Sequence, residues 1–166
     1  MRAAAPLFLA VSCLLTALCA CPVATAGAKP RMDDRERAIV RAINRRRTRH
    51  SLPEVRSSRR LARAADFHSW EMLDADYFAH ESRDGSPFDV RVRRYVSYRA
   101  IGETLAMVGG CGKGSARRIV RMWMNSPGHR AILLSSRFRR VGLGRRTGDL
   151  AGNHACVVTA DFASRR

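Results

Sequence analysis

The stretch Trp123-Met124-Asn125-Ser126-Pro127-Gly128-His129-Arg130 follows Phe78-Ala79-His80 and Gly102-Glu103 in an order that could bring two imidazoles and one carboxylate together. His80 comes after the aromatic pair Tyr77-Phe78 and before the turn residues Asp84-Gly85. Such a half-buried boundary houses functional and structural imidazoles alike. His129 is expected at the start of a short helix, with Ser126 as N-cap and Pro127 at the first helical position. A serine three residues before a histidine suggests a nucleophile with its base. That chemistry also needs a group to orient the imidazole and an oxyanion hole, and the chain has no Gly-x-Ser-x-Gly elbow. Ser126 is therefore read as a cap. His68 shares a helical face with Leu61, Ala65 and Met72 and is expected in the core, whereas His50 and His154 sit at turns and read as exposed.

Several elements must position these groups. Asp33 can cap a helix carrying Ile39, Val40 and Ile43, which Leu52-Pro53 closes off. Ser57 or Ser58 opens a second helix with the Leu61, Ala65, His68, Met72 stripe. Ser86-Pro87 predicts a third as cap and first residue, with Val90, Val92 and Tyr95, and Ser115 caps a fourth with Ile119, Val120 and Trp123. Residues 138–143 and 155–162 read as strands, the second rich in Val and Thr, and Thr147-Gly148-Asp149 with Gly152-Asn153 supply turn material for an antiparallel hairpin. Residues 101–107 suit a further short strand. Helices first and strands last predict an α+β fold, with helices packed on a small antiparallel sheet.

The chain begins with Arg2, an apolar run over residues 3–20, Pro22 and the small residues Ala24-Thr25-Ala26, which read as a secretory signal peptide cleaved after Ala26. A lipoprotein signal with Cys21 modified is the lesser alternative, because Cys19 fits that pattern poorly. No later segment approaches the ~20 apolar residues of a spanning helix. Removing residues 1–26 would leave 140 residues, enough for one domain, with residues 27–34 as a short lead and 35–166 as the domain proper. Cys13, Cys19 and Cys21 would leave with the signal. Cys111 and Cys156 then form one disulfide most simply, worth ~2 to 4 kcal/mol.

The net charge of +17 is carried almost entirely by arginine, in scattered doublets such as Arg59-Arg60, Arg117-Arg118 and Arg145-Arg146. Attraction to anions follows at low salt. With no zinc-finger spacing or RNP-type motif, nucleic acid is not the expected partner, and anionic headgroups or cell-surface polymers are better candidates.

Five blocks in order, Leu61 through His68, Phe78-Ala79-His80 with Asp84-Gly85, Ile101-Gly102-Glu103, Trp123 through Arg130, and Val141-Gly142-Leu143-Gly144, resemble the CAP superfamily. This is the cysteine-rich secretory protein, antigen 5 and pathogenesis-related 1 group, whose module is also called the SCP domain. The likeness is to its short single-domain bacterial members and covers about residues 35 to 163. It implies an α-β-α sandwich and a cleft lined by two histidines and two acids, which in some members bind a divalent metal such as zinc. His80 and His129 match the histidines and Glu103 one acid. Ser126 stands where the second acid is usual, and Thr104 replaces the usual Asn. Two imidazoles and one carboxylate with an open position remain a zinc set, with Glu103 as a possible base in a metal-dependent hydrolase of peptide or cell-wall material. The expectation is a secreted binding protein for a divalent cation or small lipid-like ligand, with the hydrolase and a cationic surface binder as alternatives.

Overall fold

The computed structural model describes residues 32–112 and 114–164. The signal-peptide reading, the Cys21 alternative and most of the 27–34 lead lie outside these residues.

Helix α1 (Asp34–Arg49) starts as its sequence dictates. Asp33 accepts from the Glu36 amide at 2.8 Å, and Glu36 accepts from the Asp33 amide at 2.7 Å, which closes a capping box. A two-residue strand β1 (Arg56–Ser57) leads to α2 (Arg59–Asp74), capped by Ser58. Short α3 (Phe88–Arg93), strand β2 (Ile101–Val108), α4 (Ser115–Asn125) and α5 (Pro127–Leu133) follow, and strands β3 (Arg140–Leu150) and β4 (Asn153–Ala163) close the chain.

The strands form one sheet in the order β1-β3-β4-β2, with both pairings of β4 antiparallel. The antiparallel sheet is as expected, and the two-residue strand β1 adds a parallel pairing with β3 at its edge. Two polar residues after Pro53 carry no strand periodicity that a sequence could reveal. Side chains alternate along β4: Cys156, Val158, Ala160 and Phe162 join α1 and α4 in the main core, while Val157, Thr159, Asp161 and Ala163 point to the opposite, α2 side. The sheet is thus sandwiched between helical layers.

Two glycines set the spacing on the α2 side. A Cβ on Gly142 would stand 2.1 Å from the Ala62 amide nitrogen, and one on Gly144 2.1 Å from that of Asp66. The helix backbone therefore lies directly on β3. The contact is locked by Arg146, which grips Asp66 through two bonds of 2.8 and 2.6 Å, and by Ser69, whose hydroxyl donates to Gly144 O at 3.1 Å.

Three local readings are corrected. Helix α3 has Pro87 at its cap with no side-chain bond, while the Ser86 amide is held by Asp84, so the serine closes the preceding turn. Ser115 is the first helical residue of α4, and Gly114 caps it with a φ of 86°, a left-handed conformation that glycine adopts without strain. Residues 147–149 belong to β3. The hairpin turns in two residues, Ala151 and Gly152, with φ of 48° and 75°, both in the left-handed region as a type I′ turn requires. The structure joins Cys111 to Cys156, with Cα atoms 5.7 Å apart.

Candidate functional site

Glu103 lies on β2, opposite Asp161 in the register with β4, and its side chain is closed to solvent. One carboxylate oxygen meets His80 Nδ1 at 2.8 Å. The other accepts from the Arg91 guanidinium, which is itself buried. Arg91 also donates to His80 O at 3.1 Å and Ser82 Oγ at 3.2 Å, so one arginine from α3 fixes both the carboxylate and the loop that presents the histidine. The His80 side chain remains 44 % exposed. Its ring centroid lies 6.3 Å from that of His129, which the first turn of α5 supplies, and 6.4 Å from Phe88. The structure thus brings together His80, Glu103 and His129.

Sequence reasoning missed two members of this cluster. Arg91 has no feature that separates it from the other arginines. Asp161 was legible in principle, as an acid at an inward position of an otherwise apolar strand. It is fully buried, and no donor among the described residues reaches either oxygen. Burial and the neighbouring Glu103 charge push its carboxyl well above the usual range, which favours its protonated form. Burial pushes the Glu103 carboxyl up as well, but the His80 bond and the Arg91 charge outweigh it and hold it below the usual range.

The two imidazoles are driven apart. The hydrogen bond to Glu103 raises His80 against an opposing effect of burial, whereas burial, then the His80 charge, lowers His129. Neither nitrogen of His129, nor His80 Nε2, has a hydrogen-bond partner among the described residues. No group of three or more His, Cys, Asp and Glu residues among them is arranged to hold a metal ion. Both Glu103 oxygens are engaged, which leaves the imidazoles as the available donors.

His68 is fully buried, as expected, between Glu71 Oε2 at 3.2 Å and Ala79 O at 2.9 Å. Tyr77 donates to the same Glu71 oxygen at 2.7 Å, so this second network anchors the segment that leads into His80. Ser126 occupies the N-cap position of α5 ahead of Pro127, but its hydroxyl makes no capping bond. His50 and His154 are exposed.

The sequence profile of the cysteine-rich secretory protein family, CAP, matches residues 40–160. The uncharacterized protein YkwD of Bacillus subtilis (strain 168) is 34% identical over 110 residues, 66% of this chain and 41% of that protein. The uncharacterized membrane protein YlbC of the same organism is 32% identical over 110 residues, 66% of this chain and 31% of its own length. The chain thus spans less than half of either relative. Among solved structures, an extracellular protein containing an SCP domain from Bacillus anthracis superposes with a TM-score of 0.64 at 29% identity, covering 79% of this chain and 40% of that one. An outer surface protein of Borrelia burgdorferi gives 0.67 at 19% identity over 81% of this chain and 97% of that one, a likeness of fold alone.

Proposed function

The chain belongs to the cysteine-rich secretory protein family, and from that premise we propose that it is a secreted binding module whose cleft takes a divalent cation, zinc foremost, on His80 and His129. The observation that carries this reading is the chain of contacts from Arg91 to Glu103 to His80 Nδ1, which fixes the ring and leaves Nε2 without a partner among the described residues. A carboxylate behind a histidine orients it and makes it a better donor. Glu103 therefore supports a ligand rather than serving as one. Two imidazoles suit a borderline cation such as zinc, with remaining positions left to water or an incoming molecule. When bound, zinc would polarise a coordinated water or carbonyl.

Secretion is supported by the leader-like residues 1–26 and by the Cys111–Cys156 bond. No helix among the described residues is long and apolar enough to cross a membrane. The hydrolase alternative asks Glu103 to take a proton from water. With its side chain closed to solvent and both oxygens engaged, Glu103 is placed to hold His80 instead. A second reading, a small lipid-like ligand, draws support from exposed Phe78 and Val90 and from Phe88 beside His80.

Thermal unfolding of metal-stripped protein with excess Zn²⁺, beside His80→Ala and His129→Ala, tests the first reading. A native-state ligand at 100 times its Kd adds about 2.7 kcal/mol, and a rise in Tm of several degrees that both variants lose is the expected result. No rise in the unaltered protein removes zinc and leaves the lipid-like reading to be tested with fatty-acid binding.

A further inference from the structure

Away from His80 and His129, α4 packs against α1, and the seam between them is a groove walled by arginine. One stretch, of about 360 Å³, is lined by Arg45, Arg46, Arg49, Arg117 and Arg121 over a floor of Ala42 and Val120. A second, of about 420 Å³, shares Arg45 and Arg117 and adds Arg41, so the two are continuous. Among the described residues none of these six guanidiniums forms an ion pair or donates a hydrogen bond. Arg83, Arg145 and Arg146 by contrast meet Asp74, Asp33 and Asp66, and although Arg59, Arg60 and Arg63 on α2 are also unpaired among the described residues, only the groove sets its arginines on two facing helices. The sequence withholds such partners here. No Asp or Glu occurs between Glu36 and Glu54, nor between Glu103 and Asp149.

This arrangement weakens the helices that carry it. Arg41, Arg45 and Arg49 follow at four-residue steps, as do Arg117 and Arg121, and like charges at that spacing repel. Each step advances about 6 Å along its helix, so both walls present cations at regular intervals. We propose that the α1–α4 groove binds a linear phosphodiester polymer without bases, laid between the two helices with its phosphates on successive arginines. Guanidinium forks match phosphate oxygens in pairs, which favours arginine over lysine for such a rail. The described lining has no aromatic ring on which a base could stack, which sets single-stranded nucleic acid aside. Its concave form, with arginines on facing helices, suits a thread better than a bilayer surface.

The test is binding of fluorescent synthetic poly(glycerol phosphate) by anisotropy across a salt series. The proteins are the unaltered chain, R45Q/R117Q/R121Q, and R59Q/R60Q/R63Q, which removes equal charge from exposed positions on α2. The groove variant is expected to bind at least tenfold more weakly, with a salt slope reduced by roughly one per arginine removed, while the α2 variant changes less than about twofold. The groove side chains reach solvent and repel one another, so this variant should melt no lower than the parent. Equal losses in both variants would reduce the effect to diffuse charge and overturn the proposal. So would tighter binding of oligo(dT) or phosphatidylglycerol vesicles than of poly(glycerol phosphate).

Discussion

Glu103 joins a solvent-facing imidazole to a buried guanidinium, and removing its charge should be felt at both ends. Glu103→Gln leaves Arg91 buried without its counter-ion, a change expected to cost about 3 to 5 kcal/mol in chemical denaturation. The same variant should let His80 fall back toward its ordinary pKa, read from its ring protons by NMR, and, under the proposed cation reading, should weaken zinc binding by roughly 10- to 100-fold. Because the His80 pKa is raised in the folded protein, its pairing stabilises fully below the ordinary imidazole value and is lost as pH rises through the raised one. His80→Ala should flatten that slope. Under the proposed cation reading, zinc binding would run the other way, strengthening as His80 sheds its proton. Asp161 has the opposite character to an ordinary paired acid: its raised pKa means folding must keep a proton on it, so stability falls as pH climbs from the normal aspartate range through the raised value. Asp161→Asn, neutral and of similar shape, is expected to raise the melting temperature at neutral pH and to remove that decline. His80, His129 and Glu103 were legible in the sequence because each stands beside a turn, a proline or a glycine in a recognisable block. Arg91 was not, since burial is a property of where α3 lies and not of any residue near it.

The elements owe their placement to a few positions where packing overrides propensity. Gly144→Ala would drive a methyl group into the backbone of α2, which no side-chain rotation can relieve. A loss above about 4 kcal/mol, or failure to fold, is expected, whereas Gly110→Ala, with nothing within 4 Å, should change little. Arg47 was part of a basic run in the sequence. In the structure it is fully buried and donates to Pro53 O, Leu133 O, Ser135 O and Phe138 O at 2.7 to 3.1 Å, tying the end of α1 to the chain leaving α5. Arg47→Met would leave those carbonyls unmatched at about 1 to 3 kcal/mol each where they stay buried, so urea denaturation should show a loss of at least about 3 kcal/mol. Helix periodicity located α1, α2 and α4 because each carries apolar residues at helical spacing on one face. Sequence pattern failed at β1 and at the start of α3, where the element is too short to repeat its pattern and tertiary contacts decide.

Across the whole molecule, the fold class followed from the order of helices and strands, while the path of the groove between α1 and α4 did not, because it needs two distant helices to meet. The Cys111–Cys156 bond ties the segment after β2 to the strand beside it, and its reduction is expected to lower stability by about 2 to 4 kcal/mol, seen as a drop in Tm with dithiothreitol. Strand β2, which carries Glu103, is the last in the sheet, and its one strand neighbour is β4, the final strand of the chain. This has a consequence in time. A chain emerging from its N-terminus displays His80, Glu103 and His129 long before residues 153–163 arrive, yet Glu103 has no sheet to lie on until they do. The proposed cation site would therefore be completed only at the closing moment of folding, and a chain cut short anywhere before β4 would keep all three site residues without the sheet that positions Glu103.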